Sequence, residues 1–333
     1  MSSSAVKAEL QRGLTLKQQG RPQDAEAIFR ALLAGNPDNL LVLAELGMLA
    51  SETGAAEQAV AYFSRAALLA PRDSTALNNL GAALTNTNDY EAAIDALERA
   101  VALTPSFEHG WHSLARTLNV AGEPERALEI ATRLKTRNRN HIGARMNMIR
   151  SFGQLGRFEQ AEAEALEIVA QWPAAAAGYI TLAPLRRFAV GDPIVEAAQR
   201  VADSGAAAAY EAGDLMFALG KMYDDIGDVD RAFATFEKAN ARTPGRYDRR
   251  QWEQQVRELI EAYSRARISA RRTHGNVSPA PVLVVGMPRS GTTLVESLLA
   301  ANPAVSSVGE SALLGTIGGT LCGSSPRGLV SRR

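Results

Sequence analysis

The chain has few of the residues that staple small extracellular domains or build sheets. Its single cysteine, Cys322, excludes an internal disulfide, and its four histidines are accompanied by no cysteine cluster of zinc spacing. A reducing compartment is therefore expected. Aromatic residues make up only 6% of the chain while alanine is abundant, a balance that suits close-packed helices and argues against a sandwich or barrel. Charge of one sign is missing too. Lysine plus arginine equal aspartate plus glutamate at 36 each, so no net field draws the chain to nucleic acid or to an anionic membrane. No apolar run is long enough to cross a bilayer, and the opening MSSSAVKAELQRGL has no apolar core of signal-peptide length. The expectation is a cytoplasmic protein with no membrane and no nucleic-acid partner. At 46% hydrophobic and 22% charged, its 333 residues have the composition of folded rather than disordered chains and the length for two domains.

What is present is a ruler. Gly13, Gly47 and Gly81 stand 34 residues apart, as do Pro37, Pro71 and Pro105, and the series Ala25, Ala59, Ala93, Ala127 and Ala161. Phe29 and Phe63 share a phase that passes to Leu97, Ala131 and Ala165, and Pro173 falls two periods after Pro105. A further unit, LGKMYDDIGDVDRAFATFEKANARTP, sets Gly220, Tyr223, Ala232, Phe236, Ala239 and Pro244 at the same internal spacings. Because Ala232 lies 71 residues after Ala161, three extra residues belong to a degenerate unit between them, about 176–212.

This pattern resembles the tetratricopeptide repeat and covers residues 6–246. Each unit reads as a helix ending at a turn such as Gly20-Arg21-Pro22 or Gly122-Glu123-Pro124, followed by a second helix that packs back and stops at the proline. Glycine on the first helix and alanine on the second allow close approach, and the phenylalanine fills the wedge toward the next pair. Stacked pairs of this kind wind into an α-solenoid whose concave face is lined by first-helix side chains and holds a protein or extended peptide. Asn78, Asn79, His112, Arg116, Asn119, Asn147 and Arg150 are the candidates for that face. Singly, each is more simply a solvated helix residue.

Two other features carry plain readings. His109 and His112 sit three apart on a helix as two metal ligands would, but no third ligand of suitable spacing accompanies them, so no metal is expected. The nine arginines between Arg242 and Arg272 are interrupted by Asp248, Glu253, Glu258 and Glu261, which reads as a solvated helix and linker over residues 247–280. From Thr273 to Pro281 the composition turns to Gly, Asn, Ser and Pro, placing the domain boundary there.

Beyond that boundary lie the residues with chemistry to offer. Val282 to Val285 is a short β-branched apolar run suited to a buried strand, and the loop Gly286-Met287-Pro288-Arg289-Ser290-Gly291-Thr292-Thr293 leads into an apolar helix from about Thr292 to Ala301. The glycine spacing is that of a phosphate-binding loop, whose main-chain amides face an anion. A nucleoside triphosphatase of this type carries lysine where Thr292 stands. Without that ammonium, the charge of the anion falls to Arg289, whose planar guanidinium suits a sulfonate or phosphate.

Strand, PRSGTT, apolar helix and a return to a Gly-Glu pair resemble the 5′-phosphosulfate loop of sulfotransferases. The nearest group contains the protein-tyrosine sulfotransferases and the bacterial proteins that join tetratricopeptide repeats to a sulfotransferase domain. The resemblance implies a mainly α chain in which the solenoid is followed by the first strand-loop-helix-strand portion of a P-loop-like α/β fold over residues 281–314. It also implies that Arg289, Ser290, Gly291, Thr292 and Thr293 hold 3′-phosphoadenosine 5′-phosphosulfate (PAPS), and that Glu310 is the base toward the acceptor hydroxyl. If Ala304 to Val308 is a second strand parallel to the first, Glu310 emerges beside the loop, and the scheme requires no metal.

From Gly315 to Arg333 the chain has no acidic residue and no helix or strand periodicity, and is read as an irregular tail. The 53 residues from 281 to 333 compare with on the order of 100 to 150 for an adequate core, so weak or absent activity is expected of this sequence as written. The alternative is a non-enzymatic repeat scaffold for protein–protein interaction.

Overall fold

The computed structural model describes residues 3–205, 207–208, 211–242, 249–262, 292–302 and 304–305. The chain divides into two compact units, Met1–Pro244 and Gly245–Arg333. The first unit is built of paired helices: α1 (Ser3–Gln18) with α2 (Pro22–Gly35), α3 (Leu40–Glu52) with α4 (Ala56–Leu69), and α5 (Ser74–Asn86) with α6 (Tyr90–Leu103). It continues through α7 (Glu108–Val120) with α8 (Pro124–Arg137), α9 (Ile142–Gln154) with α10 (Phe158–Gln171), α11 (Ala176–Leu182) with α12 (Pro193–Ser204), and α13 (Ala212–Asp225) with α14 (Val229–Arg242).

The boundaries follow from local chemistry. The Asn39 side chain accepts from the Val42 amide, and Asp73 accepts from the amides of Thr75 and Ala76, satisfying donors that a helix start leaves open. Pro22 and Pro124 open α2 and α8, where a missing N–H costs nothing. Pro37, Pro71, Pro105 and Pro173 each stand two residues beyond the end of a second helix. Inside each pair the chain reverses through a left-handed residue: Gly20 (φ 73°), Gly54 (79°), Gly122 (81°) and Gly156 (70°). At the same phase of the third pair stands Asn88 (φ 61°), a residue that tolerates this conformation, and its Oδ1 accepts a 2.6 Å bond from the Tyr90 hydroxyl.

Packing within a pair turns on one glycine. A Cβ on Gly47 would meet two Phe63 ring carbons at 2.6 Å, and one on Gly13 or Gly220 would meet the ring of Phe29 or Phe236 at 2.5 Å. The space opened by the missing side chain is therefore occupied by the ring of the same pair. Phe63 also clusters with Ala83 of the following pair, so the ring faces its own glycine as well as the next wedge. The two positions vary together in size. Gly81 faces Leu97 in the third pair, and in the fourth both positions are alanine, Ala115 and Ala131, each fully buried.

The degenerate unit keeps its core while losing regular helix. α11 stops after seven residues, and Asp192 restarts the chain by capping the Ile194 amide at 3.0 Å. Within the intervening segment Phe188 is buried, with the Arg186 guanidinium 4.8 Å above its ring. Tyr179 is fully buried, its hydroxyl donating to the Pro173 carbonyl at 2.8 Å.

In the second unit the described helices are α15 (Arg249–Ala262) and α16 (Thr292–Ala300). Arg249 pairs with Glu253 at 2.7 Å along α15, as a solvated helix does with alternating charge. α16 occupies the span in which the sequence places an apolar helix. The expected first strand, 282–285, lies outside the described residues, as do positions 306–308 of the second. Ala304 and Val305 follow a turn rather than a strand, their amides donating to Asn302 Oδ1 and O at 3.0 and 2.9 Å. No helix among the described residues is long and apolar enough to cross a membrane.

The size exchange between paired positions sets a test. Gly47→Ala is expected to cost about 1–3 kcal/mol through overpacking, and Phe63→Ala about 3–5 kcal/mol through lost burial. The double variant, which recreates the Ala115/Ala131 pairing, should cost clearly less than the sum. Urea unfolding of the four proteins measures this, and strict additivity would show that the two positions do not share one space.

Candidate functional site

The 34-residue ruler aligns side chains on successive first helices. Met48, Ala82, Arg116 and Arg150 occupy one equivalent position on α3, α5, α7 and α9, while Leu41, Thr75, His109 and Gly143 occupy another. Leu41, Thr75, His109 and Arg150 are exposed, and Met48, Ala82 and Arg116 are half-buried, so these positions present a continuous accessible face.

The seven candidates drawn from sequence divide on that face. Asn79, His112 and Arg116 are half-buried and Arg150 is exposed, but Asn78, Asn119 and Asn147 are buried and present no side chain to a partner. Asn119 Nδ2 donates to the Asn147 carbonyl at 3.1 Å, and its Oδ1 accepts from Ser151 Oγ at 2.8 Å. Asn147 Nδ2 donates to the His112 carbonyl at 3.1 Å and lies 3.2 Å from His112 Nδ1. One step earlier in the array, the Thr85 and Thr117 hydroxyls meet at 2.8 Å. These groups form a polar ladder between adjacent first helices, where water is excluded and each polar atom needs a protein partner. Asn78 Oδ1 has no such partner.

Charge is unevenly spread. Second helices carry exposed ion pairs such as Arg99–Asp95 and Arg133–Glu129, at 3.2 and 2.6 Å. α5 carries no charged residue. On α7, Glu108 accepts from Asn138 at 2.9 Å, and on α9 the buried Arg145 is paired with Glu164 at 2.6 Å. Arg116 and Arg150 are left with no carboxylate partner among the described residues. Burial, and after it the charge of Arg150, lowers the pKa of the Arg116 guanidinium from its ordinary value, so the two cations lie within electrostatic reach of each other.

His112 stands at the centre of a histidine row. Its ring centroid is 6.4 Å from that of His109 and 5.8 Å from that of His141. Sequence reasoning missed His141, which caps α9 by accepting from the Ala144 amide through Nδ1 at 3.0 Å. Burial, then the neighbouring charges of His141, His109 and Arg116, lowers the His112 pKa to about 4, against the opposing effect of a hydrogen bond with the Gly143 backbone. With Asn147 donating, His112 Nδ1 accepts, as the neutral ring requires. Among the described residues no group of three or more His, Cys, Asp or Glu is placed to hold a metal ion.

Of the residues assigned to the phosphosulfate loop, Arg289, Ser290 and Gly291 lie outside the described residues, as does Glu310, the expected base. Thr292 and Thr293 open α16, a helix with no acidic residue in its first turn. The first amides of such a helix have no intrahelical acceptor, which fits the binding of an anion and would not fit a cation.

The lowered pKa of His112 makes stability depend on pH. The folded protein resists protonation that the unfolded chain accepts near pH 6.5. The contribution is therefore complete above about pH 6.5 and is lost as pH falls from there toward 4. His112→Asn, which places at this position the residue found at Asn78, is expected to flatten that loss. Denaturant midpoints between pH 7 and pH 4 report it, and parallel curves for both proteins would remove His112 as the cause.

Comparison with known proteins agrees with the helix pairs. Residues 16–84, 74–107 and 213–245 match families described as tetratricopeptide repeat, and residues 281–321 match the sulfotransferase family. An uncharacterized protein of Aquifex aeolicus (strain VF5) is 28% identical over 186 residues, which are 55% of this chain and 24% of that protein. The chain thus spans about a quarter of the length of the curated relative it matches. A tetratricopeptide repeat protein from Parabacteroides merdae ATCC 43184 is similar in fold at a TM-score of 0.53 and 16% identity, over 78% of this chain and 98% of its own. MamA aligns at 22% identity and a TM-score of 0.44, over 50% of this chain and 94% of its own. The chain therefore carries tetratricopeptide repeats over residues 16–107 and 213–245, and the helix pairs between them continue the 34-residue interval and the glycine turns.

Proposed function

We propose that this is a sulfotransferase-family protein in which the repeats dock a protein or peptide and the second unit transfers a sulfuryl group from PAPS to an acceptor hydroxyl. The observation that carries the reading is the coincidence of the PRSGTT loop with the start of α16 at Thr292, inside the span matched to the sulfotransferase family. PAPS, when bound, supplies an activated sulfuryl group. The main-chain amides of Gly291, Thr292 and Thr293, the Ser290 hydroxyl and the Arg289 guanidinium would hold its 5′-phosphosulfate.

In the transfer, the acceptor oxygen forms a bond to sulfur as the bond from sulfur to the phosphate oxygen breaks. The acceptor proton passes to Glu310, and the loop donors take the charge that develops on the leaving phosphate. A second reading, a repeat scaffold without chemistry, is favoured by the extent of the repeats, which account for α1 through α14.

PAPS binding separates the two. Isothermal titration of the full chain is expected to show binding that Arg289→Ala weakens about ten-fold or more, since it removes a charge-assisted clamp. Equal heats for both proteins, or none for either, would leave the scaffold. Glu310→Gln should retain that binding and lower sulfuryl transfer to hydroxyl acceptors by about 10²-fold or more, measured with ³⁵S-labelled donor. Unchanged transfer would remove Glu310 as the base.

A further inference from the structure

The first-helix face has a direction. At the position equivalent to Arg116 the residues run Met48, Ala82, Arg116, Arg150, from apolar through small to cationic, and the position two helical turns away begins with the exposed Leu41. The cationic end holds no compensating acid. α5 is uncharged, Glu108 is engaged with Asn138, Arg145 is buried against Glu164, and no described residue offers Arg116 or Arg150 a carboxylate. His112, with its pKa lowered to about 4, is neutral near pH 7, so the two guanidiniums are the fixed charges that define this part of the face.

A half-buried guanidinium close to a second cation is an unfavourable arrangement in the free protein, and an arriving anion relieves it. The spacing indicates what kind of anion. α7 packs directly against α9, and packed helices lie about 8–10 Å apart. A single small anion meets one guanidinium more readily than both. An extended chain advances roughly 3.3 Å per residue, so carboxylates two or three residues apart reach both arginines. The same chain continued across α5 to α3 brings apolar side chains to Met48, which is in phase with Arg116, and toward Leu41 two turns along the same helix.

We infer that the first-helix face of α3 to α9 docks an extended acidic peptide segment, with carboxylates two or three residues apart on Arg116 and Arg150 and apolar residues along α3, at Met48 and at Leu41 two helical turns away. This rests on the reading of the repeats as a docking surface and adds the chemistry of the occupant. It is independent of the sulfuryl chemistry, which PAPS titration tests separately.

The test uses the full chain and two fluorescein-labelled peptides of about ten residues, long enough to cross four first helices. One carries leucine followed by spaced glutamates, and the other has glutamine in place of each glutamate. Anisotropy titration at low salt is expected to show the glutamate peptide binding about ten-fold tighter or more, with the advantage shrinking as salt rises. Arg116→Gln/Arg150→Gln should abolish the advantage and leave the glutamine peptide unaffected, while Arg133→Gln, on a second helix, changes neither. Circular dichroism and the unfolding midpoint establish that the variants are folded. Equal affinity for the two peptides overturns the proposal, as does an advantage that survives in the double variant, or tighter binding of a single-stranded RNA oligomer at matched salt. If the peptides bind equally and Leu41→Asp weakens both, the acidic specificity falls and the docking surface stands. If neither peptide binds, both fall.

Discussion

The structure depends on how closely the two helices of a pair can approach. That distance is set where a missing or minimal side chain on the first helix receives a ring or branched chain from the second, as Gly47 receives Phe63. Because interiors are packed to near-crystalline density, the sum of the two side chains is constrained more tightly than either alone. Gly81 with Leu97, and then Ala115 with Ala131, meet the same constraint with different partners. The ruler in the sequence is the trace of that geometric limit, and the turn residues at φ near 70–80° are what return each second helix to the required distance.

A second layer of order joins one pair to the next. Between first helices the contact is polar: hydroxyls of Thr85 and Thr117, then Asn119 with Asn147 and Ser151. Fully satisfied groups in a water-poor seam fix the register of neighbouring helices more sharply than apolar packing does. The same seam has a functional consequence, since it takes in polar side chains that would otherwise reach the accessible face. What remains there is sorted by phase into an apolar beginning and a cationic end.

Much of this was legible in the residues. Glycine, alanine and proline at a fixed interval predict helix pairs, turns and stops, and the glycine turns and the spans of α3 to α10 follow that interval. The same ruler failed for Asn119 and Asn147 because polarity alone does not say whether a helix position faces water or a neighbouring helix. His141 was missed because a histidine cap looks like any loop residue until its Nδ1 is seen facing the Ala144 amide. Applying the interval to polar positions as well would have put Arg116 and Arg150 in phase. For the second unit, α16 was readable from its apolar run after the loop, whereas Ala304 and Val305, the first two residues of the expected second strand, are not in a strand. Ala304 instead belongs to the turn that Asn302 organises with its side chain and carbonyl.

The buried core is not divided evenly along the solenoid. From Ala115 to Ala232 one contiguous cluster runs through the shortened α11 and the buried Phe188, while the earlier pairs are held by smaller, separate clusters such as those around Phe29 and Phe63. An array whose neighbours interact only locally gives way where its coupling is weakest. The amino-terminal pairs share less apolar core with one another than the later pairs do, and the segment with the least regular helix lies inside the largest shared core.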